Sequence, residues 1–348
     1  MSEITLGILG GGQLGSMLSI AATKLNIKTV VFCDDAEAPA QNFCNKFIFA
    51  KYDNKEKITE FINELDFVTY EFENIPYETL NEINKLKPVL PKPSVNRLIQ
   101  HRLAEKDFIN KLNIRTTRYV SVEKKSEVEA LEDFLPGILK TTTLGYDGKG
   151  QYPINSIDEL NSLNIDFSKG YILEKLVKLK KEISIIITRF NNLKYEIYEP
   201  IENTHEDQIL KYSKIPADIN DKIFNQSKEW ATLIAEELKY IGTLCVEFFI
   251  DRNDNLYVNE IAPRVHNSGH LTINAYNVSQ FENHVRAVCG LEQISLKKLS
   301  NAKMINLIGD QISPYRKMPK LNDNEFFFDY LKKEIKKKRK MGHITTLI

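Results

Sequence analysis

The sequence predicts an α/β and α+β protein, with a Rossmann-like parallel sheet at the amino terminus and β-rich regions after it. Three observations carry this. Residues 4–9 are an apolar run ending in Gly10-Gly11-Gly12-Gln13-Leu14-Gly15, after which Leu14, Met17, Leu18, Ala21 and Leu25 recur at helical spacing, giving strand, tight turn and helix. Apolar runs and helical patterns then alternate to about residue 95, as in a parallel sheet with helices on its faces. Further on, residues 171–177 with 182–188, and 244–250 with 256–261, read as pairs of neighbouring strands.

At 348 residues the chain is long enough for two or three domains with a sizeable core. Its 42% hydrophobic and 27% charged residues are those of an ordinary globular protein. Lys and Arg number 47 and so do Asp and Glu, so no global field favours nucleic acid or an anionic membrane, and selectivity must come from local sites. Cys33, Cys44, Cys245 and Cys289 are scattered without CxxC spacing, which speaks against zinc or a disulfide framework and fits a reducing compartment. No signal-like amino terminus or membrane-spanning run is visible, so a cytoplasmic location is expected.

In chain order, the first turn places glycines at 10, 12 and 15 with Asp34-Asp35 about 20 residues on, the dinucleotide fingerprint that sets phosphate at a helix amino terminus. It makes a nicotinamide or flavin oxidoreductase a rival reading. Strands follow at 29–33, 47–50 and 67–70, with a helix around Ile58, Phe61, Ile62 and Leu65. Gln13 and Glu71-Phe72-Glu73-Asn74 then lie beyond carboxyl ends of strands, where such sheets bind ligands; the alternative for the acids is a solvated loop. Pro88, Pro91 and Pro93 mark a boundary. Ser94 caps a predicted helix through Ile109, with Arg97, Arg102 and Lys106 near one face that is ordinarily solvated.

A strand ending at Lys140 runs into a segment rich in glycine, hydroxyls and lysine at 141–151. That is equipment for closing over a triphosphate, although GxxxxGK[ST] is absent and a flexible hairpin tip is the alternative. Glu174 and Glu182 sit on predicted strands and could accept hydrogen bonds from an amine or ribose; His205 reads as an ordinary loop histidine. The helix after Asn225 buries Trp230, Leu233, Ile234 and Leu238. Across the symmetric turn 252–255, Glu247 opposes Glu260, and alternation puts Phe249 and Val258 on the same face. Two charges about 4 Å apart repel by roughly 4 kcal/mol at an effective dielectric of about 20. A shared proton, a cation from the chain or a bound Mg²⁺ would offset that, and Arg264 follows closely. His266 and His270 are four apart, but Pro263 and Gly269 bracket them and no third ligand follows, so they read as a loop rather than a zinc pair.

GGGQLG at 10–15, YEFENIP at 70–76, GYDGKGQ at 145–151, NEIAPRVHNSGH at 259–270, MINLIGD at 304–310 and RKMGH at 339–343 give the chain a family likeness along nearly its whole length. It resembles the ATP-grasp superfamily, most closely the N5-carboxyaminoimidazole ribonucleotide synthetase family, for which GYDGKGQ together with NEIAPRVHNSGH is specific. The resemblance implies an ATP-grasp fold: a Rossmann-like pre-ATP-grasp domain over 1–95, an ATP-grasp domain over 96–292 with a mobile lid at about 117–177, and a small β-rich domain over 293–348. It implies a ligase of purine biosynthesis that turns ATP, bicarbonate and 5-aminoimidazole ribonucleotide into N5-carboxyaminoimidazole ribonucleotide, ADP and phosphate through carboxyphosphate. Mg²⁺, with Mn²⁺ as a substitute, is the implied cofactor; the partners are small molecules and a second copy in a homodimer, with no nucleic acid or membrane.

By the same resemblance, ATP is held by Arg102, Lys140, Gly145, Tyr146, Asp147, Gly148, Lys149, Gly150, Gln151, Glu174, Lys175, Leu176, Val177, Glu182, His205, Asn259 and Glu260. Glu247 and Glu260 carry the metal. Gln13, Leu14, Glu71, Tyr146, Asp147, Arg264, Asn267 and Ser268 line the carboxylation site, with Lys333, Arg339 and Lys340 on the ribonucleotide 5′-phosphate. Lys140, Arg264 and Glu71 are the implied catalytic groups. The Pro-Gly usual before Arg-Lys is Lys337-Lys338 here, which puts the local turn in question. Competing readings are another ATP-grasp carboxylate–amine ligase, the oxidoreductase, and a nucleotide-binding paralogue without turnover.

Overall fold

The computed structural model describes residues 3–143 and 150–348. The amino-terminal alternation forms the expected parallel sheet from β1 (Thr5–Leu9), β2 (Lys28–Cys33), β3 (Lys46–Phe49) and β4 (Phe67–Tyr70), in the order β3-β2-β1-β4. These strands are apolar on both faces because both are covered. One face packs Leu6 and Ile8 against the helix Gln13–Lys24 and against Phe281, Val285 and Val288 of the much later helix Gln280–Val288. The other face packs Leu9, Phe32 and Val68 against Phe61, Ile62, Leu80 and Ile83.

Instead of one helix capped by Ser94, the chain makes two, Pro93–Ile99 and Arg102–Lys111. Competing hydrogen bonds cause the break: the Gln100 amide donates to the carbonyls of Glu73 (2.6 Å) and Ile75 (2.9 Å), and the Arg102 N–H donates to the Thr142 carbonyl (2.9 Å). The second helix therefore turns its basic face inward. Lys106, expected on a solvated face, is 1% exposed.

A small antiparallel sheet follows, built from β5 (Tyr119–Val122), β6 (Gly137–Thr141), β7 (Gln151–Ile154) and β8 (Tyr171–Lys175) in the order β5-β8-β6-β7. The largest sheet has nine antiparallel strands: β9 (Leu179–Arg189), β10 (Tyr195–Ile197), β11 (Ile201–Glu206), β12 (Ile209–Ile215), β13 (Gly242–Asp251), β14 (Leu256–Ala262), β15 (Ala302–Ile308), β16 (Glu325–Asp329) and β17 (Lys340–Leu347). Its order is β14-β13-β9-β11-β12-β15-β17-β16, with β10 on β9, so the β-rich carboxyl terminus continues the central sheet through the β12–β15 pairing. The helix Asp221–Glu237 covers one face, burying Ile234 and Ala235 against Val246 and Phe248. It starts a turn before the sequence suggested because the Asn220 side chain caps it, accepting the Ile223 N–H at 2.9 Å. Among the described residues no helix is long and apolar enough to cross a membrane.

His284 joins the parallel sheet to the central one. Its Nδ1 accepts the Thr243 N–H of β13 at 3.0 Å, so Nε2 carries the proton and donates to Thr69 Oγ1 of β4 at 2.8 Å. Complete burial pushes its pKa down to about 4. The folded value lies below the unfolded one, so this stabilisation is complete above about pH 6.5 and is lost as the pH falls toward 4. It amounts to roughly 3 kcal/mol. Urea unfolding at about pH 7 and about pH 4 should show the native protein losing roughly 3 kcal/mol more than a His284→Asn variant; equal losses would mean that the imidazole takes up its proton as readily in the folded state as in the unfolded one.

Candidate active site

The three sheets enclose a cleft of about 640 Å³. One wall is the β13–β14 ribbon, where Glu247 pairs directly with Glu260 as expected, although the pairs nearer the turn, Phe249 with Tyr257 and Ile250 with Leu256, are one residue out of the symmetric register. The next pair is Phe248 with Val258, which leaves Asn259 as the extra residue of a β-bulge. The bulge corrects one expectation: Phe249 lines the cleft beside Glu247, but Val258 turns away and is buried in the core with Phe248. It also brings Asn259 and Glu260 onto the cleft wall together. Asn259 Oδ1 is buried with no hydrogen-bond partner among the described residues.

Partners from the chain, a guanidinium on one carboxylate and an imidazole on the other, offset the glutamate repulsion. Arg102 Nη1 lies 3.3 Å from Glu260 Oε2, and His266 Nε2 lies 2.8 Å from Glu247 Oε1. Burial would raise the Glu247 pKa, but His266 reverses this and holds it at about 2. Two carboxylates and an unpartnered carboxamide oxygen form a hard-oxygen donor set that fits a divalent cation such as Mg²⁺. Behind Glu260, Glu105 Oε1 accepts the Ile261 N–H at 2.6 Å, and burial together with Glu260 pushes its pKa up to about 8.

The second wall comes from the small sheet and the helix Arg102–Lys111. Glu174 of β8 meets Lys140 of β6 (3.0 Å) and Lys106 (3.3 Å), and accepts from Thr117 Oγ1 (2.8 Å). Burial opposes its ionisation, yet the two lysines hold its pKa at about 2. Both Glu174 oxygens are thus engaged by the protein, and two ammonium groups share one carboxylate. Lys175, Leu176, Val177 and Gln151 line the cleft nearby. So do Glu182 and His205, which pair through Oε2 and Nδ1 at 2.6 Å; His205 lies on β11 rather than in a loop, and Glu182 lifts its pKa against the opposing effect of burial. Gly150, with φ +70°, packs against Thr141 and accepts its N–H at 2.9 Å; Gly145, Tyr146, Asp147, Gly148 and Lys149 lie outside the described residues.

The third wall belongs to the parallel sheet, whose turn gives Gln13 and Leu14 to the cleft. Glu71, 8% exposed rather than solvated, accepts the Gly12 N–H at 2.7 Å. A Cβ on Gly10, whose φ is +99°, would stand 2.7 Å from Glu71 Cγ, and one on Gly12 would stand 2.9 Å from Glu71 Oε1. The glycines therefore make room for the chain's own carboxylate where a dinucleotide phosphate would have to sit, and the fingerprint loses its oxidoreductase meaning. Arg264 Nε donates to Glu73 Oε2. Asn267 also lines the cleft, whereas Ser268 is buried behind it, its Oγ bonded to Ser184 Oγ (2.7 Å) and His266 Nδ1 (2.9 Å).

At the carboxyl-terminal corner, Lys340 lines the cleft together with Lys332, which the family resemblance did not imply as a site residue; Lys332 donates to Gln13 Oε1 at 2.8 Å. Lys333 points to Glu37 at 3.0 Å on an exposed surface, and Arg339 donates to the Glu334 carbonyl at 3.1 Å. The turn in question forms with lysines, closed by the Arg339 N–H on the Lys336 carbonyl at 2.9 Å. It packs over Gly309, where a Cβ would lie 3.1 Å from the Lys337 carbonyl oxygen. His270 does not converge with His266. It is fully buried, with its ring 5.1 Å from that of His343.

Family models match over three stretches: a ribonucleotide synthetase preATP-grasp domain at residues 3–100, an ATP-grasp domain at 107–281, and a phosphoribosylaminoimidazole carboxylase C-terminal domain at 302–348. The N5-carboxyaminoimidazole ribonucleotide synthase of Brucella melitensis is 38% identical over 350 residues, covering 99% of this chain and 96% of the relative. The chain belongs to the N5-carboxyaminoimidazole ribonucleotide synthetase family. The family member from Bacillus subtilis is likewise 38% identical, over 98% of this chain and 90% of its own. A Staphylococcus aureus N5-carboxyaminoimidazole synthetase complexed with ADP matches with a TM-score of 0.92 at 36% identity, covering 99% of this chain and 93% of that one. The Aspergillus clavatus synthase in complex with ADP and 5-aminoimidazole ribonucleotide matches with a TM-score of 0.89 at 27% identity, over 99% and 94%.

Proposed function

We propose that this chain is an ATP-dependent ligase that carboxylates 5-aminoimidazole ribonucleotide to N5-carboxyaminoimidazole ribonucleotide in purine biosynthesis, with release of ADP and phosphate. The observation that carries this reading, in a chain of this family, is a single cleft holding three kinds of wall. One is the Glu247–Asn259–Glu260 set, another the Lys140–Lys106 pair, and the third the Glu71, Glu73 and Arg264 cluster. The fungal relative is solved in complex with ADP and 5-aminoimidazole ribonucleotide, the two kinds of ligand that this reading assigns to the cleft.

Bicarbonate is a poor electrophile. An oxygen of bicarbonate attacks the γ-phosphorus, the bond to the β,γ-bridging oxygen breaks, and ADP leaves, giving carboxyphosphate. The ribonucleotide amine then attacks the carboxyl carbon, phosphate departs, and the amine gives up a proton. Lys140, steered by Glu174, and Arg264, anchored by Glu73, are placed to spread charge on the transferring phosphoryl and the carboxylate oxygens. When bound, Mg²⁺ or Mn²⁺ would be held by Glu247 and Glu260 with Asn259 beside them, and would supply positive charge that offsets that of the phosphates. Arg102, Lys175 to Val177, Glu182, His205 and the 145–151 segment hold ATP in this reading. Gln13, Leu14, Glu71 and Asn267 shape the carboxylation site with Ser268 behind them, and Lys332 and Lys340 offer charge to the 5′-phosphate. Enclosure by the three walls limits hydrolysis of carboxyphosphate. A homodimer acting in the cytoplasm completes the proposal.

The test is phosphate release from ATP with each substrate omitted in turn. Release should require both 5-aminoimidazole ribonucleotide and bicarbonate. Release indifferent to the ribonucleotide would point to another carboxylate–amine ligase, and reduction of a nicotinamide to an oxidoreductase.

A further inference from the structure

Cysteine spacing in the chain argues against zinc, yet folding assembles a ligand cluster that spacing cannot show. Cys245 and Glu247 are two apart on β13 and so share a face, and the loop after β14 brings His266 over them. One ligand atom from each of Cys245, Glu247 and His266 lies within 4.8 Å of the others, and among the described residues this is the group of three able to hold a metal. Glu247 Oε1 and His266 Nε2 already stand 2.8 Å apart, while Ser268 Oγ holds the other ring nitrogen, Nδ1, at 2.9 Å and fixes the ring.

We propose that Cys245, Glu247 and His266 form an inhibitory site for a soft divalent cation such as Zn²⁺, overlapping the Mg²⁺ site through the shared Glu247. Thiolate, imidazole and carboxylate are a zinc ligand set, and around a tetrahedral ion with bonds of about 2.0–2.3 Å such atoms stand roughly 3.3–3.8 Å apart, so small side-chain shifts complete the site. Mg²⁺ has no use for sulfur, and affinity at a nitrogen and sulfur site rises steeply toward Zn²⁺. Glu247 and His266 line the cleft and Cys245 lies fully buried behind them, so the ion enters from the substrate side and keeps its fourth position facing the cleft. Binding exchanges the thiol proton, released to solvent, for a metal–sulfur bond. Glu247 is then withdrawn from Mg²⁺ and turnover stops.

Co²⁺ serves as the spectroscopic probe. Titrated into the metal-free full chain, it should give a thiolate-to-cobalt charge-transfer band saturating at one equivalent. The band should vanish in Cys245→Ser and persist in a variant with Cys33, Cys44 and Cys289 replaced by Ser. Cys245→Ser should keep phosphate release within about two-fold of native while raising the inhibitory Zn²⁺ concentration at least about ten-fold. Cobalt binding without the band overturns the site, as does a band that survives Cys245→Ser; this spectrum needs only the native protein if the variant fails to fold. Equal Zn²⁺ inhibition of both proteins overturns the regulatory consequence. That arm rests on Glu247 as a Mg²⁺ ligand and the cobalt band does not, so the two failures are distinguishable.

Discussion

Glu260→Gln should lower phosphate release dependent on the ribonucleotide and bicarbonate by about a thousand-fold, the scale on which removal of one preorganised charge at a developing oxyanion slows a reaction. Glutamine keeps the shape and an acceptor oxygen but removes the charge that would face the metal. The pairing of Glu247 with Glu260 holds both groups on one ribbon, so the lost charge has no substitute. The backbone is untouched, and Arg102, which loses its contact at 3.3 Å, keeps the field of the ionised Glu174. Circular dichroism and urea midpoint should therefore stay near native. Undiminished turnover in a folded variant would remove the metal assignment.

Arg264→Met should cost both stability and activity. Its guanidinium is bonded to Glu73, and its charge partly offsets the burial that raises the Glu71 pKa. Deleting one partner of such a pair leaves a carboxylate uncompensated, which costs about 3–5 kcal/mol at fully buried sites. Here the side chains retain 17% and 22% exposure, so the lower end, about 3 kcal/mol, is expected. Adding Glu73→Gln should restore most of the stability, measured by urea unfolding, and none of the turnover. Recovery of both would show that Arg264 is a strut and takes no part in the chemistry.

What the sequence made legible follows from how local each signal is. The parallel sheet was readable because each strand is a continuous apolar run bounded by its own turn, and burial on both faces leaves no register to guess. Glu247 opposite Glu260 was reached through a turn register that is one residue out, since Phe249 pairs with Tyr257 and Ile250 with Leu256, and the bulge restores the expected partner. The bulge at Asn259 was not readable, since alternation alone cannot show which residue is extra. Lys106 was misread as solvated because the carboxylate that pairs with it, Glu174, lies far along the chain from its own helix. Lys332 and Lys333 are neighbours in a run of like charge, and only the pairing of β16 and β17 decides which one faces the cleft. The fingerprint glycines misled for a similar reason: nothing near them in sequence reveals that Glu71 fills the space they open.

The most direct test of the account is anomalous diffraction from crystals of the chain grown with ADP and Mn²⁺. The account predicts a manganese peak within coordinating distance of both the Glu247 and Glu260 carboxylates, with the nucleotide phosphates beside it. A peak away from that pair, or a nucleotide lying against the Gly10–Gly12 turn, would contradict it.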